Sequence, residues 1–75
     1  MTKVETIKSL IEKVYGKVGT KPNQFEYEVW QNHHAVCQVV NEGGGTVRLL
    51  TESSANRLID KLETLLSFKR YIETK

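Results

Sequence analysis

The sequence predicts a two-layer α+β domain in the order α-β-β-β-α, with a three-stranded antiparallel sheet packed on two helices. One observation behind this is the run Gly43-Gly44-Gly45 between two short β-type stretches, because glycine adopts the positive φ of a hairpin loop without steric cost. The other is an apolar stripe of helical period on each side of this β-rich middle. Both stripes need a common apolar surface, so we expect one sheet face to hold both helices and the other to stay open.

The first helix is predicted at about residues 3–16. Thr2 and Glu5 have the spacing of a capping box, in which the threonine hydroxyl accepts a hydrogen bond from the glutamate amide. Gly16 offers a stop signal and Pro22 forbids continuation. The apolar stripe of this helix consists of Val4, Ile7, Leu10, Ile11, Val14 and Val18.

Three strands are predicted, at about residues 25–31, 34–41 and 46–51. Phe25 to Val29 alternate apolar and acidic side chains, which is typical of a strand with one buried face. Ala35 to Val40 are mostly apolar and β-branched, as strand residues often are. The segment between the first two strands has the composition of a turn, but its length is open, and the register of the sheet depends on that length.

The second helix is predicted at about residues 52–66, with Thr51 or Ser53 as its N-cap. Its apolar stripe consists of Ala55, Leu58, Ile59, Leu62, Leu65 and Leu66. The C-terminal tail, residues 67–75, has two interpretations. It continues the helix, because the apolar period runs on through it, or it forms a separate short turn.

The composition describes an ordinary soluble globular chain that forms a single domain over residues 1–75. It is 39% hydrophobic and 27% charged. Its 11 basic and 9 acidic residues are interleaved and leave a net charge of +2, whereas a committed duplex-DNA binder concentrates basic charge. The lone Cys37 forms no internal disulfide and predicts a reducing compartment, the cytoplasm. We expect neither a signal peptide nor a membrane span, because the N-terminus is charged and no apolar stretch approaches ~18–20 residues.

The potential metal ligands and paired acids do not form a predicted site. On a strand, His34 and Cys37 point to opposite faces, and His33 lies ~13 Å from Cys37, so one ion cannot bind them together. Glu26 and Glu28 share a strand face at ~6.6–7 Å, a separation that paired carboxylate catalysis uses. A domain this small offers them no deep pocket. We therefore expect no enzyme activity, no metal and no cofactor.

Trp30 is out of phase with Phe25, Tyr27 and Val29. If those three face the helices, Trp30 faces outward, and an apolar patch around a tryptophan is typical of a binding interface. The alternative is that a turn or a bulge shifts the register and Trp30 enters the core. The predicted partner-binding residues are Trp30, Val36, Gln38, Val40 and Arg48. The predicted function is a small non-enzymatic protein–protein interaction module that regulates or inhibits a larger protein or forms a homodimer.

The alternative function is weak RNA or DNA binding. Phe68-Lys69-Arg70-Tyr71 combines two cations with two aromatic rings, which together hold nucleic acid by charge and stacking. An ordinary helix end explains the same residues, because cations favour the C-terminal end of the helix dipole and two cations supply few phosphate contacts. The nucleic-acid-binding residues in this alternative are Lys17, Lys21, Arg48, Arg57, Lys69 and Arg70.

The element order also resembles that of the double-stranded RNA-binding domain. The loop Lys17–Pro22 before the first strand, His33 or His34 after it, and Ser53 at the second helix are similar to features of that family. The resemblance implies a shared topology and recognition of RNA mainly by shape. The family's lysine cluster at the second helix is absent here, where Arg57 is the only cation. The resemblance is therefore one of topology, and this absence favours a protein partner.

Overall fold

The structure is a computed structural model that describes residues 2–73, and it confirms the predicted order of one helix, three antiparallel strands and a second helix. The elements are α1 (Lys3–Val14), β1 (Phe25–Trp30), β2 (His33–Val39), β3 (Thr46–Glu52) and α2 (Ala55–Glu73). The strand order β1-β2-β3 puts β2 at the centre of the sheet and leaves β1 and β3 as edges. Thr74 and Lys75, the last two residues of the predicted tail, lie outside the described residues, as does Met1.

Helix α1 begins as the sequence predicts and ends two residues earlier than predicted. The Thr2 hydroxyl oxygen accepts a hydrogen bond from the Glu5 amide at 3.2 Å, which satisfies one of the free amides of the first turn. The chain then turns at Gly16, whose φ is +154°. A Cβ at Gly16 would lie 3.1 Å from the Phe25 ring, so the residue that ends the helix also lets that ring pack closely.

A two-residue loop, Gln31-Asn32, joins β1 to β2 and pairs Trp30 with His33. Gln31 has a φ of +49°, which is the sign that the first position of a type II′ turn requires. The same register pairs Tyr27 with Val36. Tyr27 and Val36 therefore point to the same side of the sheet, towards the helices, and Trp30 points to the other side.

An extra residue in β3 sets the direction of Arg48. Leu50 pairs with Val36 and Arg48 pairs with Cys37, so Leu49 is a β-bulge without a partner of its own. In a regular strand Arg48 and Leu50 would share a face, because side chains alternate. The bulge instead directs Leu50 to the helices and Arg48 to the opposite face.

The core lies between the helices and one face of the sheet. Its buried members are Ile7, Leu10, Ile11, Val36, Leu58 and Leu62. Side chains that pack around them include Tyr15 and Phe25, whose rings stack at a centroid distance of 5.5 Å. Both helix stripes thus share one sheet face, as the sequence predicts.

Helix α2 differs from its prediction at both ends. Strand β3 runs on to Glu52, and Ser54, instead of Thr51 or Ser53, accepts a hydrogen bond from the Arg57 amide at 3.2 Å. The helix continues to Glu73, so the tail is helical as far as the structure describes it. With 19 residues α2 is ~28 Å long, whereas the 12 residues of α1 span ~18 Å. Within residues 2–73, no helix has the length and apolar character that crossing a membrane requires.

Candidate interaction surfaces

The face of the sheet opposite the helices, called the open face below, carries Glu26, Glu28, Trp30, His33, Ala35, Cys37, Val39 and Arg48. The Arg48 guanidinium lies 4.5 Å from the centroid of the Trp30 ring, within the range of a cation–π contact. The His33 ring lies on Trp30 as well, with 5.6 Å between centroids. The indole therefore contacts both a guanidinium and an imidazole, which restrict its orientation.

The side chains of the central strand on the open face, called its floor below, are buried although no helix covers them. Ala35 is 0% exposed, and Cys37 and Val39 are each 1% exposed. Trp30 belongs to β1 and Arg48 to β3, so their contact crosses the central strand. The Trp30–Arg48 contact thus lies across the small side chains of the central strand, and it leaves the indole half-buried.

Cys37 is a buried thiol and not a nucleophile. Burial raises its pKa from 9.0 to about 11, and the charge of Glu28 and the hydrogen bond to Glu28 add to this effect. Arg48 partly opposes the shift. The sulfur is therefore protonated at neutral pH, whereas nucleophilic attack and metal binding both need the thiolate. The Glu28 carboxylate accepts a hydrogen bond from this thiol, so Glu28 and Glu26 are not a pair of free carboxylates.

Three of the five predicted interface residues lie elsewhere. Val36 is in the core. Gln38 is two residues further along β2 and is paired with Phe25, which packs against the core, so Gln38 points to the helix side as well. Val40 directly follows the end of β2, two residues after Gln38, and has the same alternation as Val36 and Gln38. They would have joined Trp30 on the open face only if the β1–β2 loop had an odd number of residues, since a shift of one residue exchanges the two faces. The open face instead carries the alternate residues of β2, which are Ala35, Cys37 and Val39. Their small size was the signal in the sequence that the prediction missed.

The histidines make structural contacts. The Tyr27 hydroxyl lies 2.6 Å from His34 Nδ1, within hydrogen-bonding distance, and burial raises the pKa of Tyr27 above its ordinary value of 10.0. His34 faces the helix side and His33 faces the open side. Among the described residues, no three or more His, Cys, Asp and Glu side chains come together as a metal site would require.

A second surface, the terminal groove, lies at the C-terminal ends of the two helices. It has a volume of about 340 Å³ and is lined by Val14, Tyr15, Leu65, Phe68, Lys69, Ile72 and Glu73. It arises because α1 ends at Val14 while the apolar stripe of α2 continues for two more turns. Phe68 is 63% exposed and Ile72 is 56% exposed, so large apolar side chains here meet water. The sequence showed this stripe but not that α1 would leave its end uncovered.

A further cleft, of about 350 Å³, lies between α1 and β1 and is lined by Lys8, Val18, Gly19, Thr20, Glu26 and Tyr27. It is open to solvent and lacks both the tryptophan of the open face and the large exposed apolar side chains of the terminal groove. It therefore offers less to a ligand or partner than the other two surfaces.

The predicted nucleic-acid residues do not form one cluster. Lys69 Nζ donates to the Lys13 carbonyl oxygen at 3.0 Å and lies 4.0 Å from a Glu73 carboxylate oxygen. Lys69 thus neutralises the negative end of α1. Arg57 lies on the same helix ~18 Å away along its axis. Arg48 is stacked on Trp30, Arg70 is exposed on α2, and Lys17 and Lys21 lie in the loop between α1 and β1.

The chain matches no protein-family model, no curated protein and no solved structure. What it shares with the double-stranded RNA-binding domain is the order of its elements.

Proposed function

We propose that this chain is a small non-enzymatic protein–protein interaction module that binds a larger protein, as a regulator or inhibitor, through the open face of its sheet. The observation that carries the proposal is the Trp30–Arg48 stack on a face that no helix covers. Tryptophan and arginine are enriched among the residues that dominate binding energy at protein interfaces. Here both are present, in contact, and on the same exposed surface.

The stack is suited to binding because it is already ordered. Trp30 is held by Arg48 on one strand and by His33 on the other, so little side-chain freedom is lost when a partner docks. The closed floor beneath it gives the partner a firm surface. Glu26 and Glu28 on the same face add negative charge beside the cationic Arg48, which favours a partner surface with an apolar centre and charges of both signs.

The other attributes of the proposal follow from particular residues. A protonated, buried Cys37 fits a reducing compartment such as the cytoplasm, and it gives the chain no catalytic thiol. We assign no catalysis, metal or cofactor to the open face, because its polar groups contact one another and do not converge on a pocket.

The experiment is capture of a partner from host lysate by the immobilised chain, with and without nuclease. We expect capture that survives nuclease, and we expect Trp30→Ala to weaken it at least ~30-fold, since truncating a central tryptophan typically costs ~2 kcal/mol or more. Val29→Ala is the matched control, because Val29 is adjacent, exposed and on the opposite face. Arg48→Lys keeps the charge but loses the flat stacking surface, so it should weaken capture as well.

Circular dichroism must first show that each variant is folded. Equal capture by Trp30→Ala and the wild-type chain would refute the proposal. Capture that disappears on nuclease treatment would favour the nucleic-acid alternative instead.

A further inference from the structure

The terminal groove is a second uncovered surface, and the open face does not account for it. The last two turns of α2 carry three large apolar side chains, of which Phe68 and Ile72 line the groove and Tyr71 lies beside it on the helix: Phe68 is 63%, Tyr71 57% and Ile72 56% exposed. The open face, in contrast, presents a single large apolar side chain. Contiguous apolar exposure of this kind marks a surface that a partner covers.

We propose that the occupant of the terminal groove is the α2 end of a second copy of this chain, so that the protein forms a two-fold symmetric dimer. A two-fold interface requires one patch to be complementary to itself. The groove meets this requirement because Phe68 and Ile72 both line it and protrude from it. With the two helices antiparallel and the axis near residues 70–71, Phe68 of each copy lies against Ile72 of the other.

The charges of the patch support this occupant. Lys69 and Glu73 lie at the rim of the groove, four residues apart on α2. The midpoint of Lys69 and Glu73 lies one residue, ~1.5 Å, from the midpoint of Phe68 and Ile72, so the same axis brings Lys69 of one copy within reach of Glu73 of the other, and does so twice. A patch with charges of both signs in this order attracts a rotated copy of itself, whereas a patch of one sign would repel it. The net charge of +2 adds only weak repulsion between whole chains.

The size of the patch sets the expected strength. A large side chain that is more than half exposed offers roughly 100 Å², so the three exposed side chains and the groove lining give on the order of 400 Å² per copy. The dimer then buries ~800 Å² in total, which is below the ~1,200 Å² of stable specific interfaces and in the range of weak, transient ones. We therefore expect a reversible dimer with a dissociation constant on the order of tens of micromolar.

The test is sedimentation equilibrium of the full chain between about 5 and 500 μM. We expect the mass to rise from 8.6 kDa towards twice that value with concentration. Phe68→Glu should raise the dissociation constant at least tenfold, because it places a charge in the apolar contact. Ser67→Glu is the matched control, since it puts the same charge one residue away at an exposed position outside the groove lining, and it should dimerise like the wild-type chain.

Because Phe68 is 63% exposed, Phe68→Glu should leave the fold intact, and Ile72→Glu provides a second variant with the same expected effect. Mixing Lys69→Glu with Glu73→Lys chains tests the orientation: the mixed dimer restores both ion pairs and should be tighter than either variant alone. A wild-type chain that stays monomeric at about 500 μM, or a Phe68→Glu chain that dimerises like Ser67→Glu, would overturn the inference. Neither result would affect the proposal for the open face, which lies on the other side of the sheet.

Discussion

The open face of the sheet and the C-terminal half of α2 both lack a covering element, yet they meet water differently. On the open face, Ala35 and Val39 are almost fully buried, and the Trp30–Arg48 contact crosses the central strand that carries them. On α2, Phe68 and Ile72 are more than half exposed, because the adjacent helix ends at Val14. A missing layer therefore does not by itself expose apolar surface. What matters is whether side chains to either side are long enough to cover it.

The two halves of α2 should differ most in how much their apolar side chains contribute to stability. Leu58→Ala removes a fully buried side chain from the core and should lower the free energy of unfolding by ~3 kcal/mol. Phe68→Ala removes a larger side chain from the exposed half, and in the dilute monomer it should cost less than ~0.5 kcal/mol. Urea denaturation at low concentration measures both. Comparable losses for the two variants would show that Phe68 is part of the packed core.

Substitutions on the open face should lower the free energy of unfolding more than substitutions on an ordinary solvent-exposed face. Trp30→Ala uncovers the small residues beneath the indole and removes its contact with Arg48, so we expect a loss of about 1–2 kcal/mol. Arg48→Ala should cost ~0.5–1 kcal/mol, and a double-mutant cycle with Trp30→Ala should show that the two effects are coupled. Strictly additive losses would mean that the stack contributes nothing to stability.

The buried thiol under the stack predicts a dependence on pH. Its pKa is raised from 9.0 to about 11, chiefly by burial, so between these values the unfolded chain releases a proton that the folded chain keeps. The stability that Cys37 contributes is therefore fully present below pH 9 and is lost as the pH rises towards 11. Burial also raises the pKa of Tyr15 and Tyr27, which adds to the loss above their ordinary value of 10.0.

The corresponding measurement is the melting temperature of the wild-type chain and of Cys37→Ala across pH 8 to 11. The wild-type melting temperature should fall more steeply than that of the variant. Parallel curves would show that the thiol is not shielded as the closed floor requires.

The smallest expected effect concerns nucleic acid. Lys69 is bound to the end of α1 and Arg57 lies far from it, so duplex RNA should bind only weakly near physiological salt. Arg57→Gln should change this weak binding by no more than about twofold. Submicromolar affinity in a fluorescence titration, lost with Arg57→Gln, would instead support the nucleic-acid alternative.

Periodicity and turn composition were enough to predict the order of elements and the helix-facing side of β1, because those depend on local pattern. The composition of the open face was not predictable in the same way. It depends on the even length of the Gln31-Asn32 loop and on the bulge at Leu49, and either could change by one residue without altering the apolar pattern. Val36 was therefore placed on the wrong side of the sheet, while Trp30 and Arg48 do meet.

The terminal groove could be anticipated only in part. The apolar spacing through Leu65 and Ile72 indicated that α2 could continue, and it does so to Glu73. Whether that stripe would be covered depended on where α1 ends and how the two helices align. Those are properties of tertiary packing, which a pattern within a single helix does not contain.

The most direct test of the contrast between the two surfaces is the broadening of NMR signals by a soluble paramagnetic agent. The Phe68→Glu chain is used so that dimerisation does not hide the terminal groove. The methyl signals of Ala35 and Val39 should be protected like that of the core residue Val36, and the methyl signals of Ile72 should be strongly broadened. Broadening of Ala35 and Val39 to the extent seen for Ile72 would contradict the account, because the open face would then be an uncovered apolar surface.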